Sequence, residues 1–404
     1  MPLVSLADAR RQVLAGCTAL HPRAVPLTDA LGCVTSVAIE ADEAVPPFAN
    51  SAMDGFALRA ADTPGTLEVV ATLAAGSSPE GVVVGPGQAV RIMTGAAIPG
   101  GADAIVMVER STKLDGTPEL VRIDHAAAPG DHCRAAGEDV GPGQQVFPAS
   151  TPVTPAVLGV LASLGLARVP VFPRARVGVL STGDELVEGG APLLPGQIRD
   201  SNRPMLLGLC RQSGFTPVDL GVARDTEDDV RAAIGRGLSS CDAILTSGGV
   251  SMGDFDYVKV VLDELSSGTF SWMQVAIKPA KPFAFGVIGD VPVFGLPGNP
   301  ASSMVSFECF ARPGIRRRMG VPPDHLGRPT VEAVADGGLA RRPDGKVHLL
   351  RVATTWHDGT YHVHDAGGQS SNLLRLAALA NGLAVVPDGE GIGPGGSVDT
   401  WLLD

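Results

Sequence analysis

Hydrophobic and polar positions change their spacing along the chain, and each change predicts a different kind of element. Residues 5–16 carry apolar side chains at helical spacing and end near Gly16, which predicts a first helix. From residue 44 to 145, short apolar runs alternate with Gly, Pro and Asp turns, as is typical of a small all-β or α+β module. Its predicted strands are 67–73, 88–93, 104–108 and 120–123. Residues 154–164 again have helical spacing and predict a second helix.

Strand-like and helical patterns alternate between residues 176 and 320. The predicted strands are 176–180, 216–222 and 241–246, and the predicted helices are 203–213, 226–238 and 255–265. Asp225 and Thr226 precede two acidic residues, which indicates a helix N-terminus with favourable charges. This alternation predicts a doubly wound parallel sheet. The rest of the chain returns to short β runs that predict a small β-barrel or sandwich, at 347–353, 361–363, 383–386 and 398–402.

The fold class that these patterns predict is α/β plus β in a multidomain chain. Residues 1–43 and 146–172 together form an elongated connector for dimerisation, and the β-rich module of residues 44–145 is inserted between them. Residues 173–323 form the α/β domain with the central parallel-type sheet, and residues 324–404 form a small C-terminal β-barrel. Pairing of two copies of the chain is one way to cover such an exposed connector.

Composition limits the classes of partner. A length of 404 residues, with 45% hydrophobic and 18% charged residues, indicates a globular chain of several domains. The net charge of −12 and the 4% aromatic content argue against a general nucleic-acid binder, which needs a basic face. The six scattered cysteines include no CxxC pair and predict reduced thiols. Without a signal peptide or a long apolar run, we expect a soluble cytoplasmic protein that does not enter a membrane.

Three motifs follow predicted strands and would meet at the carboxyl edge of the sheet, where ligands bind in open α/β folds. The first motif follows strand 177–180. Its hydroxyls and amides can hold an anion, and two carboxylates come directly after them; the residues are Ser181, Thr182, Gly183, Asp184 and Glu185.

The second motif follows strand 244–245 and contains Ser247, Gly248 and Gly249. Consecutive small residues can leave backbone N–H groups free to form an anion-binding nest. Asp254 and Asp256 come soon after and would repel a phosphate unless a divalent cation lay between them. Mg²⁺ held by carboxylates and phosphates is a common solution.

The third motif is a Gly/Pro turn after an apolar strand. Gly298 precedes Asn299, which can cap a helix that has Pro300 in its first turn. Between the second and third motifs, prolines hold Lys278 and Lys281 as a rigid cationic pair. Together the motifs predict a pocket for a phosphorylated or nucleotide-bearing ligand with a metal. Taken singly, the glycines can be plain turns, the lysines solvated surface and the acids helix caps.

The order and content of the motifs resemble one family. Residues 46–59 (PPFANSAMDGFALR), 91–109, 135–140 (AAGEDV), 248–259 (GGVSMGDFDYVK) and 295–303 (GLPGNPASS) are similar to signatures of the molybdopterin molybdenumtransferases. Residues 176–312 resemble the molybdopterin-binding domain that this family shares with molybdopterin adenylyltransferases. The β-rich module of residues 44–145 resembles only the molybdenumtransferases and the E domain of gephyrin, and not the adenylyltransferases. The resemblance covers almost the whole chain.

The resemblance implies a reaction in molybdenum cofactor biosynthesis. The substrates would be molybdate and adenylylated molybdopterin, and Mg²⁺-dependent cleavage would release AMP and leave molybdenum on the dithiolene. The family's partners would be a second copy of the chain, a molybdopterin adenylyltransferase and the molybdoenzymes that receive the cofactor.

The resemblance also implies roles for individual residues. Glu185 and Asp256 would bind the metal and the nucleotide phosphate, with Asp254 as the alternative ligand that chemistry alone does not exclude. Lys278 and Lys281 would bind the pterin phosphate or molybdate. Asp54, with Thr94 and Asp139, would line the cleft from the other subunit, and Asp54 would orient the reacting groups. Ligand contacts would come from the first motif and from Ser247, Gly248, Gly249, Gly298 and Asn299.

The last domain matches the family least well. Arg351 after an apolar strand and Ser370 or Ser371 in the loop GGQSSN are the nearest counterparts of family residues, and we assign Arg351 and Ser371 to substrate binding. Gly368 and Asn372 stand where the family has histidines. Three alternatives stay open: a molybdopterin adenylyltransferase, a competence-damage-type nucleotide hydrolase, and a molybdopterin-binding scaffold or diverged paralogue without catalysis. The first two do not need the inserted module.

Overall fold

A computed structural model describes residues 2–190, 192–249 and 257–403 of the chain. The chain forms two compact units. The first contains residues 1–36, 150–154 and 168–404, and the second contains residues 37–149 and 155–167. The predicted four-part division of the chain stays a prediction. Asp254 and Asp256 lie outside the described residues.

The five helices with predicted ranges begin and end close to those positions, whereas the helices Arg312–Arg318 and Leu374–Ala378 were not predicted. Ser5 and Thr226 accept hydrogen bonds at their side-chain oxygens from the N–H groups of Asp8 and Asp229, as N-cap residues do. A π-helical turn, Phe307–Ala311, joins the two seven-residue helices Pro300–Ser306 and Arg312–Arg318. Within the described ranges, no helix is long and apolar enough to cross a membrane. The α-helices are α1 Leu6–Gly16, α2 Pro155–Ser163, α3 Asn202–Gln212, α4 Glu227–Ser240, α5 Tyr257–Leu265, α6 Pro300–Ser306, α7 Arg312–Arg318 and α8 Leu374–Ala378.

Most strands are short, as expected from the frequent glycines and prolines. The strands up to the central sheet are β1 Leu3–Val4, β2 Arg23–Pro26, β3 Val34–Thr35, β4 Ile39–Glu40, β5 Asn50–Ser51, β6 Gly55–Leu58, β7 Gly65–Leu73, β8 Gln88–Ile92, β9 Ala104–Met107, β10 Thr112–Leu114, β11 Leu120–Ile123, β12 Cys133–Arg134, β13 Gln145–Phe147 and β14 Arg168–Phe172. They are followed by β15 Arg176–Thr182, β16 Leu186–Val187, β17 Ile198–Arg199, β18 Thr216–Ala223, β19 Ala243–Ser247, β20 Ser271–Val275, β21 Ile277–Lys278, β22 Pro282–Ile288 and β23 Val291–Leu296. The C-terminal strands are β24 Thr330–Ala335, β25 Leu339–Ala340, β26 Val347–His357, β27 Thr360–Asp365, β28 Gly382–Val386, β29 Gly391–Ile392 and β30 Gly396–Leu402.

The central sheet of the first unit has the strand order β1-β20-β22-β23-β19-β15-β18. Strands β18, β15, β19 and β23 are parallel, which confirms the predicted parallel-type sheet, and β22 and β20 extend it in antiparallel fashion. Strand β19 is buried on both faces, with Leu245 in the apolar layer of α1 and α3 and Ile244 in the layer of α4 and α5. Helices therefore cover both faces, which makes the fold doubly wound.

The C-terminal part of the first unit is a closed barrel. Strands β26, β27, β24, β30 and β28 pair in that order, and β28 also pairs with β26, so the ring closes. This closure decides between the barrel and the sandwich that the sequence left open. Strand β21 pairs with the start of β26, and this pairing places Lys278 opposite His348. The lysine motif therefore lies against the barrel.

The second unit is built on a six-stranded sheet with the order β10-β11-β7-β8-β6-β9. Along β6, Phe56 and Leu58 belong to one apolar cluster and Ala57 to another, so the sheet buries both faces. A Cβ atom on Gly55 would lie 2.1 Å from the carbonyl oxygen of Val106. Only glycine fits there, because β6 and β9 approach so closely.

Candidate functional site

A cavity of about 400 Å³ lies at the carboxyl ends of β15, β19 and β23, where the sequence predicted a site. The side chain of Asn202 links the strand ends, since its Nδ2 donates to Ser247 Oγ over 2.8 Å and to the Gly298 carbonyl over 2.6 Å. Its Oδ1 is buried without a hydrogen-bond partner among the described residues, and Asn202 is one of the residues that line the cavity. The polar lining includes Ser181, Thr182, Glu185, Arg199, Asp200, Ser201, Asn202, Ser247, Gly248, Gly298, Asn299 and Asn372.

The two carboxylates of the first motif have different surroundings. Glu185 lines the cavity. Asp184 instead exchanges hydrogen bonds with Asp225, in which each backbone N–H donates to the other's carboxylate over 3.3 and 3.2 Å. A Cβ atom on Gly183, at a φ of +145°, would lie 2.4 Å from the Glu185 carboxylate. Glycine at this position therefore lets Glu185 fold back over the strand end.

A second acid sits deeper in the same cavity. Asp200 accepts a hydrogen bond from Ser181 Oγ over 3.1 Å. It also forms an ion pair with Arg203, whose Nε lies 2.9 Å from its carboxylate. Arg203 also pairs with Glu188 and Asp219, so one guanidinium faces three carboxylates. Asp200 and Asn202 were not among the predicted site residues, although both lie in the segment IRDSN (198–202) that follows the first motif.

The glycines of the second motif are used for packing. Gly248 and Gly249 have φ values of +96° and +69°, a region that favours glycine. The N–H of Gly248 donates to the Leu296 carbonyl over 3.1 Å, so this amide is not free for an anion nest, contrary to the prediction. A Cβ on Gly249 would lie 2.4 Å from Val258. The predicted acids of this motif fall outside the described ranges.

The third motif reaches across to the loop of the barrel. Asn299 is the N-cap residue of α6 as predicted, but its side chain makes no capping bond. Its Nδ2 donates to Ser371 Oγ over 3.0 Å, and the N–H of Ala301 donates to the Ser371 carbonyl over 3.0 Å. Asn299 lines the cavity at the strand ends and also a second cavity, which contains the lysines. The predicted site residues Asn299 and Ser371 are therefore in direct contact.

The second cavity, of about 660 Å³, is cationic. Lys278 and Lys281 line it and are exposed, and neither forms an ion pair with an acid in the described part of the chain. Lys346 is a third lysine in the lining, with its Nζ 3.0 Å from Asp344 Oδ2. Lys346 was not among the predicted site residues, because it lies in an ordinary PDGK turn. The remaining polar lining residues are Asn299, Ser302, Gln369, Ser370 and Ser371.

Arg351 supports this cavity from behind. It is fully buried, and its Nη2 donates to the carbonyls of Gly368 and Ser370 over 2.9 and 3.1 Å. Gln369 accepts from the Arg351 N–H over 3.0 Å and donates to its carbonyl over 2.9 Å. Burial lowers the pKa of Arg351 below its ordinary value. In this structure Arg351 fixes the loop that carries Ser371, and its predicted contact with substrate stays a prediction.

The remaining predicted residues lie in the second unit. Asp54 is exposed, and its Oδ1 accepts from the N–H and Oγ1 of Thr94 over 2.7 and 2.8 Å. The hydrogen bond from the Thr94 backbone N–H is the larger cause, and the one from its hydroxyl the second, that lowers the pKa of Asp54 below its ordinary value. The structure therefore brings Asp54 and Thr94 together. Asp139 is exposed, and its N–H donates to the Val45 carbonyl over 3.1 Å.

Three family models match successive parts of the chain. The MoeA N-terminal region, domains I and II, matches residues 4–165. The probable molybdopterin binding domain matches residues 178–317. The MoeA C-terminal region, domain IV, matches residues 340–403, the part in which the motifs were least distinct.

Whole-chain relatives agree with the family models. The chain is 40% identical over 414 residues to molybdopterin molybdenumtransferase 2 of Mycobacterium tuberculosis, with 99% of both chains covered. It is 36% identical to the molybdopterin molybdenumtransferase of a Nostoc species, over 91% of this chain and 85% of the relative. The crystal structure of a MoeA molybdopterin biosynthesis protein from Pyrococcus horikoshii superposes with a TM-score of 0.79 at 26% identity, covering 99% of this chain and 100% of that one. The resemblance seen in the motifs is thus confirmed, and the chain belongs to the MoeA family of molybdopterin molybdenumtransferases.

Proposed function

We propose that this protein inserts molybdenum from molybdate into adenylylated molybdopterin, with Mg²⁺-dependent release of AMP. One observation carries the proposal. A cationic cavity and a carboxylate-bearing cavity adjoin through Asn299, which lines both. A ligand with an anionic pterin end and a nucleotide end needs two such neighbouring subsites. The names of the relatives supply the chemical class of the ligand.

The cationic cavity would hold the pterin phosphate or molybdate. Lys278 and Lys281 present charges that no described acid neutralises, so an anion would gain their full attraction. Ser370 and Ser371 add hydroxyls, and Asn299 adds an amide, to orient oxyanion oxygens. An ammonium group suits an oxyanion as a point charge without fixing its orientation, so the hydroxyls provide the direction.

The carboxylate-bearing cavity would hold the nucleotide phosphates with Mg²⁺. Its donors are oxygen atoms, from Glu185, Ser181 and Thr182, and oxygen donors are the ligands that Mg²⁺ prefers. The described donor set therefore fits the ion, with Glu185 as the carboxylate that would hold it and Asp256 as the second proposed ligand. Bound there, Mg²⁺ would neutralise charge on the phosphoanhydride. The protein's own part is to position the phosphates and exclude water.

Asp54 would orient the reacting groups. Two hydrogen bonds from Thr94 favour the ionised form of the Asp54 carboxylate. An ionised carboxylate can accept a hydrogen bond from the ligand but cannot donate one. We further propose a homodimer as the working form and the cytoplasm as its location. A molybdopterin adenylyltransferase would deliver the substrate, and molybdoenzymes would receive the product.

The test is AMP release from adenylylated molybdopterin supplied with Mg²⁺ and molybdate. Wild type should release AMP in a molybdate-dependent way, and Glu185→Gln should release it more slowly by on the order of a hundredfold or more. Glu227→Gln, an exposed glutamate in the first turn of α4, is the matched control and should behave as wild type.

Two results would contradict the proposal. Tight pterin binding without AMP release from wild type would favour a scaffold or a diverged paralogue. Production of adenylylated pterin from ATP and molybdopterin would favour the adenylyltransferase. Equal rates in wild type and Glu185→Gln would remove Glu185 from the reaction even if AMP is released.

A further inference from the structure

Three of the eight histidines gather on the outside of the C-terminal barrel. His357 ends β26, His362 and His364 lie on β27, and Asp336 directly follows β24. One ligand atom from each of Asp336, His357 and His362 lies within 4.8 Å of the others. This group is separate from both cavities described above, since none of its members lines them.

Strand register places these side chains on one face. Val363 is buried in the barrel, so His362 and His364 on either side of it face outward. Thr355 pairs with His362 across the hairpin, so His357, two residues further along β26, shares that outer face.

The same rule places the carboxylate. Val334 pairs with His362, which puts Asp336, two residues further along, on the outer face too. Asp358 and Gly359, with φ values of +52° and +79°, form the tight turn that holds the hairpin in this register.

Close polar and ring contacts join the side chains of this cluster, but one of its nitrogen atoms has no hydrogen-bond partner. Asp336 Oδ1 lies 2.7 Å from His362 Nδ1, and its Oδ2 lies 3.0 Å from His364 Nε2. The ring of His357 stacks on that of His362, with centroids 3.6 Å apart and planes inclined by 17°. The side chain of His362 is only 13% exposed, and its Nε2 is buried without a hydrogen-bond partner in the described ranges. A buried ring nitrogen without a hydrogen-bond partner is uncommon in proteins.

We propose that Asp336, His357 and His362 bind a divalent transition-metal ion of the Zn²⁺ class. Two imidazoles with one carboxylate suit Zn²⁺, Ni²⁺ or Cu²⁺, whereas Mg²⁺ and Ca²⁺ prefer all-oxygen sites. Ligand atoms around tetrahedral Zn²⁺ are about 3.3 Å apart, given bonds of about 2.0 Å. A metal ion lies in the plane of each imidazole that binds it, and the two rings now stack almost in parallel, so the half-exposed ring of His357 would turn out of this stack when the ion binds.

His364 is a positioning residue in this site. Its bond to Asp336 Oδ2 holds the carboxylate so that the other oxygen faces the histidine pair. The bound ion would fasten the β26–β27 hairpin to the end of β24. Three protein ligands leave a coordination position for water or an exogenous ligand. The site does not depend on the proposed transferase function.

The experiment uses the full-length protein freed of metal by chelation. Zn²⁺ binding is measured by calorimetry and Co²⁺ binding by visible absorption, which reports coordination geometry. We expect one equivalent of Zn²⁺ that Mg²⁺ does not displace, and a Co²⁺ spectrum typical of four or five ligands. His362→Gln and Asp336→Asn should each weaken binding by on the order of tenfold or more.

The controls separate the site from general surface binding. His21→Gln, at an exposed histidine elsewhere in the first unit, should leave affinity unchanged. If His362→Gln disturbs folding, the half-exposed His357→Gln provides the same test with less effect on packing. Failure of wild type to bind Zn²⁺, or equal affinity in wild type and both histidine variants, would overturn the proposal.

Discussion

The two adjoining cavities of the first unit differ in how their polar groups are occupied. In the carboxylate-bearing cavity, Asn202 and Asp200 are held by protein partners, so the lining is already fixed by hydrogen bonds and an ion pair. In the cationic cavity, Lys278 and Lys281 have no acidic partner among the described residues. The hydrogen bonds of the carboxylate-bearing cavity fix the shape of its lining, whereas the cationic cavity keeps positive charge that a ligand can neutralise. Substitution of Asn202 or Asp200 should therefore affect mainly stability, and substitution of Lys278 or Lys281 should affect mainly ligand affinity.

The largest expected effect is on anion affinity in the cationic cavity. Lys278→Ala and Lys281→Ala should each weaken binding of pyrophosphate or molybdate about tenfold, and the double variant about a hundredfold, because each removes a charged hydrogen-bond donor. Calorimetric titration measures this. Lys113→Ala, whose ammonium group already pairs with Glu119, is the control. Unchanged affinity in the double variant would show that the two lysines are only solvated surface groups.

The next effect is on stability in the carboxylate-bearing cavity. Asn202→Ala should lower the free energy of unfolding by on the order of 1–2 kcal/mol, because Ser247 Oγ and the Gly298 carbonyl lose a shared donor. Denaturant unfolding measures this. Ser201→Ala, at a neighbouring hydroxyl that makes no capping bond, is the control. Should Asn202→Ala weaken anion binding as strongly as the lysine variants without loss of stability, the division between the two cavities would be wrong.

The smallest effect tests the junction of the cavities. Asn299→Ala removes an exposed hydrogen bond to Ser371 Oγ and should cost only about 0.5–1 kcal/mol of stability. It should reduce the affinity for a ligand that spans both cavities more than the affinity for pyrophosphate. Comparing the two dissociation constants measures this. Equal losses for both ligands would argue that Asn299 belongs to one cavity alone.

Much of the secondary structure could be predicted because it depends on local interactions. The first helix follows from its apolar spacing, and the structure adds Ser5 as its cap. The N-terminus of α4 falls at Thr226, as predicted. Buried parallel strands such as β19 have continuous apolar runs that stand out in any sequence. The antiparallel strands β20 and β22 were not predicted, because a short apolar run by itself does not distinguish a buried strand from part of a buried helix.

The sequence by itself determined which residue types follow each strand of the sheet, since parallel strands bring their carboxyl ends to one edge whatever the details of packing. Only the tertiary structure decided which of those residues share a cavity. Asp184 and Glu185 are adjacent in sequence, yet Glu185 lines the cavity whereas Asp184 bonds to Asp225.

Contacts between residues that are distant in the sequence could not be predicted from any local pattern. Lys346 lines the same cavity as Lys281 because β21 pairs with the start of β26, and Asp336 meets His362 because β24 runs beside β27. These contacts depend on strand register. Register is set by the burial of whole sheet faces, a sum over many distant residues that no single segment contains.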